Sequence, residues 1–254
     1  MIRSNSRYLE DILVRVLCTL ALDQLSDFVS DEVVAPVRET AAQLLGVLSR
    51  HLSADRVLLV TRHLIYLISL NGTNQVDQST DTTGSGSVPV EWKNNWMIVH
   101  GGLLGIKYLL ASRKDLRSVL LPLVTPCLID QLVGSGSSNA GAHHPDSSKD
   151  TTRSVADEDI RAAAASALIP VVDAEWLLTF SSSSRAHQLI GHIWHLLRES
   201  TTDLSPSTGP LLQLICVLTT AQTEAAQVAA ASLADSNAGK IMAVGSTTAY
   251  VSIS

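Results

Sequence analysis

Apolar side chains recur along this chain at steps of three and four residues, the spacing that gathers them on one face of a helix. Leu9, Ile12, Leu13, Val16, Leu17 and Leu20 make the first such stripe and predict an amphipathic helix over 8–28. A short acidic connection, Asp27 to Glu32, leads into a second stripe over about 34–52. There Val37, Leu44, Leu45 and Leu48 are apolar, and Ala41 and Ala42 are small enough to let another helix come close. Pro36 stands where a first helical turn tolerates it, and Ser30 or Asp31 is placed to cap that turn. The two segments predict an antiparallel helical hairpin.

The second half of that hairpin carries a signature that the chain states three times. Its later copies run Ile98-Val99-His100-Gly101-Gly102-Leu103-Leu104-Gly105-Ile106 and Ile160-Arg161-Ala162-Ala163-Ala164-Ala165-Ser166-Ala167-Leu168. Aligned on Val37, Ile98 and Ile160, the copies are 61 and 62 residues apart. Each interval holds a Ser/Thr/Gly-rich block, at 71–90 and 134–154. Removing about 20 residues from each interval brings the period into the roughly 40–47 of HEAT and armadillo units. The predicted fold is all-α, a HEAT-repeat (armadillo-like) helical solenoid interrupted by two low-complexity insertions.

The remaining stripes fill in this scheme. Val57, Val60, Leu64 and Ile68 predict a helix over 54–70, whose partner runs from about Trp92 to Ala111. The helix after Leu116 contains Pro122 and Pro126, which should kink or shorten it. An alanine-rich helix follows over 157–172, with Asp157, Glu158 and Asp159 as an acidic first turn and Pro170 bending its end. A fourth pair is read over 186–200 and 210–220, which gives a solenoid of about four hairpins over 1–220 and a tail at 221–254. The two insertions carry too little apolar surface to offset the entropy of ordering and are expected to be disordered.

A net charge of −6 and a pI near 5.7 argue against autonomous binding to nucleic acid, which needs a concentrated basic face. Cys18, Cys127 and Cys216 lie far apart in apolar runs and read as buried small hydrophobes in a reducing compartment. The first ten residues have no signal-peptide core, and no stretch reaches about 18 uninterrupted apolar residues, so a soluble intracellular protein is expected, with no membrane partner. Catalytic signatures are weak. Asn237-Ala238-Gly239-Lys240-Ile241 lacks the first glycine and the following Ser or Thr of a phosphate loop. His192 and His195 could share a helix face but have no further ligands to complete a metal site. No catalytic, cofactor or metal residue is assigned, and no cofactor is expected in this chain.

Recognition is the better reading. Asp27, Asp31 and Glu32 fall in the first hairpin turn, Glu91 in the second, and Asp157, Glu158 and Asp159 in the third. Stacked units would align these turns as a negative ridge suited to a basic protein surface. Trp92 and Trp96 could add an aromatic anchor, although a tryptophan at a helix start more often covers core. The candidate partner contacts are therefore Asp27, Asp31, Glu32, Glu91, Trp92, Asp157, Glu158 and Asp159.

The blocks FVSDEVVAPVRETAAQLLGVL, HGGLLGIKYLLASR and IRAAAASALIPVV resemble the N-terminal HEAT repeats of the Mot1-type TATA-binding-protein-associated Swi2/Snf2 ATPases. The resemblance covers Tyr8 to about Val172, with weaker support to Thr220. It implies a nuclear scaffold that grips TATA-binding protein while an ATP- and magnesium-dependent motor, absent from this sequence, strips it from promoter DNA. DNA would then be met only indirectly or through that motor. Val99 departs from the family pattern by replacing an arginine, and the two insertions are longer than the corresponding loops. The bare repeat pattern would equally permit a structural HEAT/armadillo scaffold of an unrelated assembly; only the quoted blocks argue against it.

Overall fold

A computed structural model describes residues 2–22, 27–29, 32–34, 36–70, 95–133, 150–180, 183–199 and 205–247. Among the described residues the fold is all-α apart from one small hairpin. Helices α1 (Ile2–Leu22), α2 (Pro36–Ser49), α3 (Ala54–Ser69), α4 (Trp96–Ser112), α5 (Arg117–Val133), α6 (Asp150–Leu168), α7 (Ala174–Phe180), α8 (Ser183–Glu199) and α9 (Thr208–Thr247) follow in order. The acidic connection holds two antiparallel strands, β1 (Asp27–Val29) and β2 (Glu32–Val34), with Phe28 opposite Val33. Phe28, Val29, Val33 and Val34 are residue types that favour strand, and they override the plain turn read from the sequence. Ser30 and Asp31, the candidate caps of α2, lie outside the described residues.

The helices pack as pairs, α1 with α2, α3 with α4 and α5 with α6, and each pair touches the next. Helices α2, α4 and α6 lie side by side, α6 continues the row onto α9, and α3 packs on α5. Ala42, Leu45, Leu64, Ile68, Leu103, Ile106, Leu128 and Ala164 are fully enclosed along this row. Helix α4 sits at its centre because it is glycine-rich where its neighbours press hardest. A Cβ on Gly101 would stand 2.0 Å from the Leu20 carbonyl oxygen of α1. One on Gly105 would meet Leu64 of α3 at 2.7 Å.

Arginines tie the opposite ends of these helices together. Arg113, after α4, donates through Nη1 to the carbonyls of Ser49 (2.8 Å) and Leu52 (2.9 Å) and is held by both carboxylate oxygens of Asp115. Arg117, at the start of α5, donates to the Val171 carbonyl at 2.7 Å and pairs with Asp173. Ser49 ends α2, and Leu52 and Val171 lie in the turns after α2 and α6, so a guanidinium fork reaching these carbonyls from a neighbouring unit fixes the spacing between units.

Several sequence expectations need correction. Helix α6 begins at Asp150, so 150–154 of the second insertion are helical, and the acidic triplet at 157–159 lies inside α6, not in its first turn. The rest of that insertion, and the whole of 71–90, lie outside the described residues. Pro122 and Pro126 do not shorten α5; both are exposed, so the carbonyls they deprive of donors lie on its outer side. The 20 residues Lys114–Val133 are apolar enough to span a membrane by length and composition, but Leu120, Leu121, Val124, Leu128 and Leu132 are buried where α5 packs on α3 and α6. Cys18 and Cys216 are exposed; Cys127 is half-buried, and burial with the nearby Asp130 charge pushes its thiol up to about 11. Helix α7 was not foreseen, and α9 runs far past Thr220, to Thr247.

Candidate functional site

The first turns of α2 and α4 meet the middle of α6 in a buried polar seam. Arg38, the second residue of the first signature copy, is fully buried, and its Nη1 donates to the Met97 carbonyl at 2.9 Å. Its guanidinium lies 5.4 Å from the centre of the Trp96 ring, a cation–π arrangement. Asn95 caps α4 by accepting from the Met97 amide at 3.1 Å, which fixes the turn that Arg38 reads. Trp96 therefore serves the seam and the core, not a free surface; Trp92 lies outside the described residues.

His100, one turn further along α4, has its Nδ1 buried without a hydrogen-bond partner. Burial, then the charges of Arg38 and Lys107, push it down to about 3, so it is neutral at physiological pH. Asp159 of α6 is 8 % exposed and has its Oδ2 buried without a partner. Burial, then the charge of Glu158, push it up to about 6, while Arg38 opposes the rise. Glu158 accepts from Ser205 Oγ at 2.8 Å, and Ser205 is joined to Ser207 at 2.8 Å, so the turn before α9 is fastened to α6 at the same place.

This geometry separates the predicted contacts. Asp159 is enclosed and cannot serve as a surface contact; Glu158 is half-buried. Asp27 and Glu32 sit on the β1–β2 hairpin, with no side chain described, and the same holds for Asp157 within α6. Asp31, Glu91 and Trp92 lie outside the described residues. Sequence reasoning missed Arg38 as an organiser, although an arginine recurring as Arg161 in an otherwise apolar signature was a usable signal.

Asp159 gives the seam a sign-defined pH dependence. A carboxyl whose folded value is raised holds its proton more tightly in the folded state than in the unfolded one. Its contribution is therefore fully present below the ordinary value of 3.8 and is lost as pH rises through about 6. Asp159→Asn is expected to raise the thermal midpoint at pH 7.5 and to flatten its decline between about pH 4 and 6. A decline as steep as in the unaltered chain would assign the titration elsewhere.

The seam offers no nucleophile paired with a base, and no group of three or more His, Cys, Asp or Glu among the described residues could hold a metal ion. Asn237–Ile241 lies within α9, in helical backbone and not in a phosphate-binding turn.

No protein-family model matches the chain. It is 34 % identical over 220 residues to the TATA-binding protein-associated factor 172 of Homo sapiens, a match covering 87 % of this chain and 9 % of that protein. It is 31 % identical over 240 residues to the TATA-binding protein-associated factor mot1 of Aspergillus fumigatus, covering 94 % and 11 %. It is 32 % identical over 211 residues to the TATA-binding protein-associated factor BTAF1 of Arabidopsis thaliana, covering 83 % and 8 %. The chain thus spans about a tenth of the length of the curated relatives it matches. On this agreement, extending over most of its residues, the chain belongs with the Mot1-type TATA-binding-protein-associated factors, as a region of that family.

Proposed function

We propose that this chain is a docking scaffold for TATA-binding protein, built as a HEAT-type solenoid from its stacked helical pairs. The similarity over 83–94 % of its length to proteins named as TATA-binding protein-associated factors carries the reading. The packing is compatible with it: paired helices touch the pairs beside them and share one continuous core, as in repeat proteins. The first turns of α2 and α4 and Glu158 of α6 lie at the polar seam, and in this reading the acidic residues that precede those turns in the sequence join Asp157 and Glu158 in one acidic edge. Asp27, Asp31, Glu32, Glu91, Asp157 and Glu158, with Trp92, are its contacts to a basic partner surface; Asp159, being enclosed, is not one of them. ATP hydrolysis, magnesium binding and direct DNA contact belong to a motor region of the longer relatives, outside these 254 residues, and the site of action is the nucleus.

Reversing Asp31, Glu32, Asp157 and Glu158 to lysine tests the edge. The expected result is binding to TATA-binding protein weakened by at least about tenfold at low salt, with a shallower salt dependence, because exposed charges act over roughly a 10 Å screening length. Unchanged affinity at low salt would remove those four residues from the interface.

A further inference from the structure

Helix α1 packs on α2 and α4, and its opposite face is left uncovered by the described residues. Leu13 marks the inner side, being 7 % exposed. At 100° per residue the positions diametrically opposite Leu13 are Tyr8, Asp11, Arg15, Cys18 and Leu22. All five are exposed, Tyr8 at 68 % and Leu22 at 47 %. Their steps are three, four, three and four residues, the spacing of a two-helix seam, and this seam is separate from the stripe that α1 uses for its own core. Such a face is unusual for a solvated helix because its ends are apolar and only its middle is charged.

The charged middle also selects an occupant. Asp11 and Arg15 are equally distant along the helix from Leu13, and so are Tyr8 and Cys18. If a second α1 lies antiparallel across a two-fold axis at the level of Leu13, Asp11 of each copy faces Arg15 of the other, and Tyr8 of each covers Cys18 of the other. If the two helices lie parallel, aspartate meets aspartate and arginine meets arginine. The same short sequence is complementary to itself in one orientation and repulsive in the other, the condition for an isologous contact. We propose that the uncovered face of α1 is a self-association surface, which joins two copies of this chain through an antiparallel α1–α1 seam. A single helix pair is small for a protein interface, so the association is weak, at roughly micromolar concentrations.

Sedimentation velocity of the full chain, from about 1 to about 100 µM at low salt, measures this directly. The expected result is a concentration-dependent shift from the 27.1 kDa monomer to a dimer. Asp11→Arg and Arg15→Asp should each weaken dimerisation by about tenfold, since each places two like-charged pairs in the seam, and the double variant carrying both should recover it. These positions are exposed, and circular dichroism confirms that each variant is folded before it is compared. A chain that stays monomeric over the whole range overturns the proposal, as does a dimer that the single variants leave intact or that the double variant fails to restore. Orientation has its own readout. Mild oxidation of a Tyr8→Cys variant should cross-link position 8 of one copy to Cys18 of the other, whereas Cys18 joined mainly to Cys18 would mean a parallel pair and would contradict the assignment.

Discussion

Replacing Gly101 by alanine should destabilise the chain by about 3 kcal/mol or more, even though the same change in an ordinary helix is favourable. Alanine exceeds glycine in helix propensity by about 1 kcal/mol, so the local effect alone would stabilise α4. Against it stands a Cβ placed 2.0 Å from the Leu20 carbonyl oxygen and 2.9 Å from its carbonyl carbon. Both are backbone atoms of a packed helix, and no rotamer change relieves the overlap; α1 and α4 must separate, opening the core around Leu20. Gly191 of α8 is the internal control, since nothing lies within 4 Å of its would-be Cβ. Gly191→Ala should be neutral or stabilising by up to about 1 kcal/mol. Thermal or urea unfolding of the two variants side by side checks the comparison, and equal effects would mean that the α1–α4 approach is looser than described.

Arg38→Ala carries the second large effect, a loss of about 3 kcal/mol, or roughly 6–12 °C in the thermal midpoint. The substitution empties a fully buried site, removes the donor to the Met97 carbonyl and ends the contact with Trp96. It also removes the positive charge that offsets the burial of Asp159, so the pH dependence of stability should shift toward higher pH in this variant. Arg38→Lys should recover little, because an ammonium lacks the planar fork and the flat face that lies over the indole. Arg38→Met refills much of the volume and should cost less than alanine; the difference between the two separates packing from polar contact. A loss below about 1 kcal/mol for Arg38→Ala would show that the seam does not hold α2 to α4.

The helical pairs were legible in the sequence because their stripes are long and regular: Val57, Val60, Leu64 and Ile68 are buried where periodicity placed them. Which of two adjacent residues faces inward was harder to read. Val37 belonged to the apolar stripe by type, yet it is 47 % exposed while Arg38 beside it is fully enclosed. The inward direction of α2 is set jointly by α1 and α4, and α4 comes from a segment about 60 residues away, beyond any local window. Local composition misled at the start of α6, where Asp150, Thr151, Thr152 and Ser154 read as loop but form helix. Of the candidate site, the withdrawal of Asp159 into the interior could not be read from the sequence. Arg38 of α2 acts on the Asp159 carboxyl, and the turn at Ser205 to Ser207 is fastened to the adjacent Glu158; no spacing within α6 reports either neighbour.

The most direct test of the central claim is to measure retention of purified TATA-binding protein by the immobilised, folded chain at low and at moderate salt. Specific retention that weakens as salt rises is expected, because acidic residues meeting a basic surface are screened over about 10 Å at 0.1 M ionic strength. No retention at either salt by a chain that circular dichroism shows to be helical would contradict the account, and would leave these helical pairs as a spacer between contacts made elsewhere in the longer relatives.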